Sequence, residues 1–229
     1  MSNSCSIETK PTSNDQTQSF EPGPGKHVLF FGDPMCSWCW GFTPELQKLS
    51  DMAEGGAEFH LIMGGLRPGT VEPWDEAMRS YIRHHWEDVA AKTGQHFNFS
   101  RFEDTDFVYD TEPSARALVS VRSLSPHKSL AMYKALQCAF YAQNKDITDT
   151  QVLTRLAVEL GVDETTFVDL FTSDDARNRV GFDYARTQAF GVQGFPSVVC
   201  AEDGQYAFLA MGYRPIVAMK DDFQAWLDA

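Results

Sequence analysis

The chain has 229 residues, 43% of them hydrophobic, and a formal net charge of −13. That length and apolar content suit one domain, or one domain with a large insertion, that buries its core without disulfides. The acidic balance, with no cluster of Lys and Arg to meet a phosphate backbone, excludes nucleic-acid binding and favours solubility.

Residues 1–26 are rich in Ser, Thr, Asn, Gln, Pro and Gly, with only isolated apolar residues. They cannot bury enough surface to offset their ordering entropy, so a disordered tail is expected. The basic start and apolar run of about 7–15 residues that mark a secretory signal are missing. No stretch approaches the roughly 20 apolar residues that span a bilayer. The expected location is the cytoplasm, with no membrane partner.

His27-Val-Leu-Phe-Phe31 is a short apolar run bounded by Gly-Asp-Pro and predicts a buried central strand. Cys36 and Cys39 follow. Pro44 to Glu54 then reads as a helix with Leu46, Leu49 and Met52 on one side, and Ala57 to Met63 alternates as a second strand. The opening is a βαβ unit with the cysteine pair at the start of its helix.

From Leu66 to Phe190 the pattern is helical almost throughout. Trp74, Met78, Tyr81, Ile82, His85 and Val89 recur at helical spacing until Gly94. Ser125-Pro126, an N-cap followed by proline, predicts a helix reaching about Gln143. Leu153, Leu156, Ala157 and Leu160 form a stripe closed by Gly161. Phe167, Leu170 and Phe171 mark a short helix after Asp163, and Val180 and Tyr184 lie on another that Gly191 ends. Pro196 to Ala201 and Tyr206 to Ala210 flank the turn Glu202-Asp-Gly-Gln205 as a hairpin. Ile216, Met219, Phe223 and Leu227 stripe a closing helix. The expected organisation is an α/β layer in two pieces, 27–65 and 191–229, separated by a helical insertion over 66–190.

The five cysteines, Cys5, Cys36, Cys39, Cys138 and Cys200, are too few and too scattered for a secreted disulfide framework. A close pair in a reducing compartment points instead to catalysis or metal binding. Structural zinc takes four protein ligands, and no second pair stands at metal spacing. His84 and His85 point about 100° apart on a helix, so they form no clamp; His85 joins the apolar stripe as a core histidine. His27, His60, His96 and His127 have no spaced partners, and no metal site is predicted. Cys138 and Cys200 read as small buried hydrophobes, and Cys5 as a free thiol in the tail. The acidic segments at Asp146 and Asp174-Asp175 read as helix starts favoured by the dipole.

Dithiol exchange fits the pair best, with a non-enzymatic thiolate metal-binding module as the alternative. At a helix N-terminus the positive dipole end favours a thiolate by about 0.3–1 kcal/mol, and one amide hydrogen bond to the anion adds roughly 1.5–3 kcal/mol. Cys36, nearer the helix end, is the expected attacking residue. Cys39, one turn later, is placed to resolve the mixed disulfide. Trp38 and Trp40 either offer apolar contact to substrates or pack under the insertion.

The order strand, Cys-x-x-Cys, helix, strand, with Gly194-Phe195-Pro196-Ser197 leading into a later strand, resembles the thioredoxin fold. The helical insertion makes the chain similar to the DsbA branch, and Asp33-Pro-Met-Cys-Ser-Trp-Cys-Trp-Gly-Phe42 resembles its FrnE-like, protein-disulfide isomerase members over about residues 27–229. The resemblance implies a thiol–disulfide oxidoreductase acting on disulfide-containing proteins or small thiols. It also implies a cis-proline at Pro196 facing the cysteines, with Phe195 pairing with substrate. No tightly bound cofactor is implied, and electrons come from a reductase or from glutathione as an exchange partner. The chain departs from the pattern at Phe30, where many relatives carry the buried carboxylate that serves the resolving thiol. Ser37-Trp38 also lacks the histidine of the strongly oxidising members. A related branch, the kappa-class and hydroxychromene-carboxylate isomerases that use glutathione on small molecules, usually places a serine at the reactive position, against the intact pair here.

Overall fold

The computed structural model describes residues 23–229. The expected tail therefore lies almost wholly outside the described residues, as does Cys5. Strand β1 (Lys26–Gly32) pairs in parallel with β2 (Glu58–Met63) and antiparallel with β3 (Ser197–Glu202), which forms the expected hairpin with β4 (Gln205–Met211). The resulting mixed sheet has the order β2-β1-β3-β4. β1 is apolar without alternation because both of its faces are covered. Val28 and Phe30 enter the main core, and Leu29 and Phe31 meet Ile62, Val199 and Ala201 on the other face.

Helix α1 (Ser37–Ala53) begins at Ser37 rather than Pro44, so the proline sits inside it. Proline has no N–H to give the carbonyl four residues earlier. That carbonyl belongs to Trp40, and it accepts from the Gln95 side-chain amide instead, at 2.8 Å. Gly41 permits close packing of α1 on the next helix, since a Cβ there would come within 2.7 Å of Val89.

The insertion holds α2 (Glu76–Thr93), α3 (Glu112–Leu124), α4 (Ser129–Gln137), α5 (Thr150–Glu159), α6 (Glu164–Thr172) and α7 (Asp174–Ala189), and α8 (Lys220–Asp228) closes the chain against α1. Asp75, Asp149, Asp163 and Ser173 cap their helices with side-chain oxygens, which satisfies amides that would otherwise be unpaired. The helix expected from Ser125 is less regular. Ser125 makes no side-chain cap bond, Pro126–Lys128 form a tight turn, and Cys138–Ala142 widen into a π turn. In α2 the buried stripe is Ile82, Trp86 and Val89. His85 is not a core histidine, because Trp86 fills that face and leaves His85 half-exposed, edge-on to Tyr81.

Two long-range features follow from packing rather than spacing. Buried Asp183 on α7 accepts two bonds from Arg122 on α3, at 2.8 and 2.9 Å, and one from the Met63 amide at 2.9 Å. The insertion is thereby tied to the end of β2. The parallel register also sets His27 opposite Glu58 and Leu29 opposite His60, so two histidines without spaced partners meet at the start of the strands, their ring nitrogens 3.1 Å apart.

Candidate active site

Cys36 occupies the cap position before α1, in extended backbone at φ −87° and ψ 116°, and its amide donates to the Asp33 carbonyl at 3.1 Å. This puts its side chain at the end of the helix where amides lack intrahelical acceptors. The side chain makes no capping hydrogen bond to them, so the amide bond expected from the sequence is not formed. Both thiols of the pair are free. They differ in access: Cys36 is 6% exposed and Cys39 is wholly enclosed.

The Cys36 thiol donates to the carbonyl oxygen of Phe195 at 3.7 Å. The Phe195–Pro196 peptide bond is cis, Pro196 is buried, and Phe195 is half-buried. Gly64, just past β2, lies under the Phe195 ring so closely that a Cβ there would come within 2.2 Å of it. Phe195 and Gly194 line one shallow groove with Met211, which is 77% exposed. Trp38 is half-buried against Tyr213, the ring centroids 6.0 Å apart.

Trp40 is not a surface beside the thiol. It is buried, stacked on Tyr141 at 5.9 Å, and its indole N–H donates to the His96 carbonyl at 3.1 Å. It points from α1 into the insertion because the helix begins before it, which turns its side chain away from the helix end.

Behind the pair lies a polar layer that sequence spacing does not reveal. Asp33 is fully buried; its two carboxylate oxygens accept from the Met35 and Leu66 amides, each at 2.9 Å. Burial raises its pKa from 3.8 to about 6, against the lowering effect of those amides. Burial, and then the adjacent Cys36, push the Cys39 thiol well above the ordinary range, while the Asp33 backbone and the Tyr133 hydroxyl pull the other way. The Tyr133 hydroxyl donates to the Asp33 carbonyl at 3.3 Å, and that of Tyr109 donates to the Met35 carbonyl. Burial raises both phenols far above their usual value, so they remain neutral donors. An aspartate in a Gly-Asp-Pro turn reads as solvent-facing, and tyrosines about 70 and 100 positions away carry no local sign of the site. Cys200 is buried and its thiol is pushed up to about 12, as a small core residue should be; Cys138 is only half-buried.

No described helix is long and apolar enough to cross a membrane. The chain is similar to a structure from Nitrosomonas europaea described as a candidate protein disulfide isomerase, at 34% identity and TM-score 0.83, covering 89% of this chain and 98% of that one. It is similar to the cytosolic disulfide reductase DsbM of Pseudomonas aeruginosa at 26% identity and TM-score 0.73, covering 88% of this chain and 97% of that one. DsbM also has a structure with GSH, glutathione. The ClpXP adapter protein SpxH of Halalkalibacterium halodurans is 22% identical over 184 residues, which cover 77% of this chain but only 58% of that protein's length. The DSBA-like thioredoxin domain model matches residues 27–224, and this chain belongs to that family, whose members are generally thiol–disulfide oxidoreductases.

Proposed function

We propose that the chain is a dithiol–disulfide oxidoreductase of the reductase or isomerase type, with Cys36 as the attacking sulfur and Cys39 as the resolving one. The observation that carries this reading is the asymmetry of the pair. Cys36 sits at the helix end with what access there is, whereas Cys39 is enclosed and kept protonated by burial. The Cys36 thiolate attacks one sulfur of a substrate disulfide, forms a mixed disulfide and expels the other sulfur as a thiolate. Cys39 then loses its proton and attacks the Cys36 sulfur, releasing the reduced substrate and leaving an internal disulfide. Two electrons pass to the substrate, and two glutathione molecules or a reductase return them.

Asp33 is the group we assign to the Cys39 proton, in place of the carboxylate missing at Phe30. It is buried behind the pair, and its pKa of about 6 suits a proton acceptor near neutrality. Only its backbone contacts the cysteines, while its carboxylate accepts from the Met35 and Leu66 amides, so the proton reaches the carboxylate by relay and not by direct contact. Phe195, beside the Cys36 sulfur, and Pro196 are assigned to substrate docking, as is the half-buried Trp38 that packs on Tyr213. Glutathione as exchange partner and a cytoplasmic setting gain support from DsbM, described as a cytosolic reductase and solved with glutathione. Insulin-disulfide reduction tests the proposal: the parent chain reduces insulin, and Cys36→Ser abolishes the rate. Full activity in Cys36→Ser contradicts the assignment, and efficient glutathione conjugation without disulfide reduction favours the isomerase branch.

A further inference from the structure

At the far end of β1 from the cysteines, His27, Glu58 and His60 turn three donor atoms toward one point. His27 Nδ1 and His60 Nε2 are 3.1 Å apart, and Glu58 Oε2 is 3.5 Å from each of them. Zinc binds imidazole nitrogen and carboxylate oxygen at about 2.0–2.2 Å, so ligand atoms on one tetrahedral ion lie about 3.3 Å from each other. All three separations match the edges of that tetrahedron. We infer that His27, Glu58 and His60 form a site for a single zinc ion that pins the start of the edge strand β2 to the central strand β1.

The surroundings prepare the ligands. His27 Nε2 is 2.8 Å from the Gly23 carbonyl, which only accepts, so Nε2 carries the hydrogen and Nδ1 presents its lone pair to the site. A backbone carbonyl holding the remote ring N–H is the usual outer support of a metal-binding histidine. His27 is itself buried, which fixes its ring, whereas the Glu58 side chain is 73% exposed and leaves room for water as a fourth ligand. Binding needs no redox change. The His60 hydrogen moves from Nε2 to Nδ1, and the ion takes the three lone pairs. Imidazole with a carboxylate suits zinc and cobalt better than magnesium or calcium. The site stands roughly 20 Å from Cys36, the length of the strand between them, so its role is to fasten the sheet and is separate from thiol exchange.

Full-length Cys36→Ser/Cys39→Ser protein removes the competing thiolate pair, and zinc is titrated against a chromophoric chelator. One zinc per chain is expected, with His60→Ala weakening it more than about tenfold, the lower range seen even for supporting residues of metal sites, and Glu58→Gln weakening it too. Cobalt substituted at the site gives visible bands of a tetrahedral ion without sulfur charge transfer. His60 and Glu58 are partly exposed, so their variants fold even where His27→Ala does not. Absence of stoichiometric zinc in the dithiol-free chain, or unchanged affinity in both variants, overturns the inference. Neither result bears on insulin reduction.

Discussion

The thiol of Cys36 lies 3.7 Å from the carbonyl oxygen of Phe195, a residue 159 positions further along the chain. The two are brought together by antiparallel pairing of β3 with β1, which sets Ser197 opposite Phe31 at the end of β1 that leads to the cysteines. In the proposed reading a substrate disulfide docked at the thiol meets the Phe195 backbone, and the Phe195 ring packs directly over Gly64, just past the end of β2.

Gly64→Ala tests that arrangement. The new methyl overlaps the Phe195 ring, which must swing outward, at a stability cost of about 1–3 kcal/mol. Insulin reduction is expected to fall by roughly tenfold or more, because ångström-scale misplacement at a reacting centre costs up to ~10²-fold. A folded variant with the parent rate shows that Phe195 does not position substrate.

The two tryptophans that flank Cys39 separate by role. Trp40→Ala leaves a cavity between α1 and the insertion and is expected to lower stability by about 3–5 kcal/mol in urea unfolding. Trp38→Ala, half-exposed, leaves stability within about 1 kcal/mol and raises the KM for protein substrates. The reverse pattern contradicts the placement.

Asp33 gives a pH signature. Its carboxyl has a higher pKa folded, about 6, than the ordinary 3.8. The folded state therefore holds more protons between these values, and the resulting stability is fully present below about 3.8 and lost as pH rises through 6. The difference is on the order of 3 kcal/mol. Between pH 4 and pH 7 the parent should lose stability relative to Asp33→Asn in denaturant titrations, and its single-turnover resolution rate should rise with an apparent pKa near 6 that the variant lacks. Parallel curves for the two chains remove Asp33 from the proton path.

Removing Asp183 leaves the Met63 amide and the Arg122 guanidinium without their carboxylate. Asp183→Ala is expected to cost about 3–5 kcal/mol, as loss of one partner of a buried pair does, with the lower end favoured because the Arg122 side chain is 25% exposed and can rehydrate. Urea unfolding measures it. A loss under about 1 kcal/mol shows that the α3–α7–β2 junction does not depend on the pair.

The elements that declare themselves by local pattern were legible in the sequence. β1, the cysteine pair at a helix start and the hairpin after Pro196 each follow from periodicity or turn residues within a short window. Of the closing stripe only Phe223 and Leu227 lie on α8, since Ile216 lies in a tight turn before it and Met219 at its cap position. Continuity of the cysteine-bearing helix through Pro44 was not legible, because a proline reads as a helix boundary unless the carbonyl it leaves unpaired, here that of Trp40, is satisfied. Gln95 satisfies it from another element. Asp33, Tyr133 and Tyr109 join the site through tertiary packing, and His27 meets His60 only through strand register. Trp40 could not be assigned from its position beside the thiols, since burial depends on which way α1 turns it.

The central claim is that Cys36 captures substrate and Cys39 releases it. Incubation of the Cys39→Ser chain with oxidised glutathione or a disulfide-containing peptide, followed by proteolysis and mass spectrometry, tests it most directly. A stable mixed disulfide on Cys36 is expected, with little adduct on Cys39 in the Cys36→Ser chain. Equal or preferential capture by Cys39 contradicts the account.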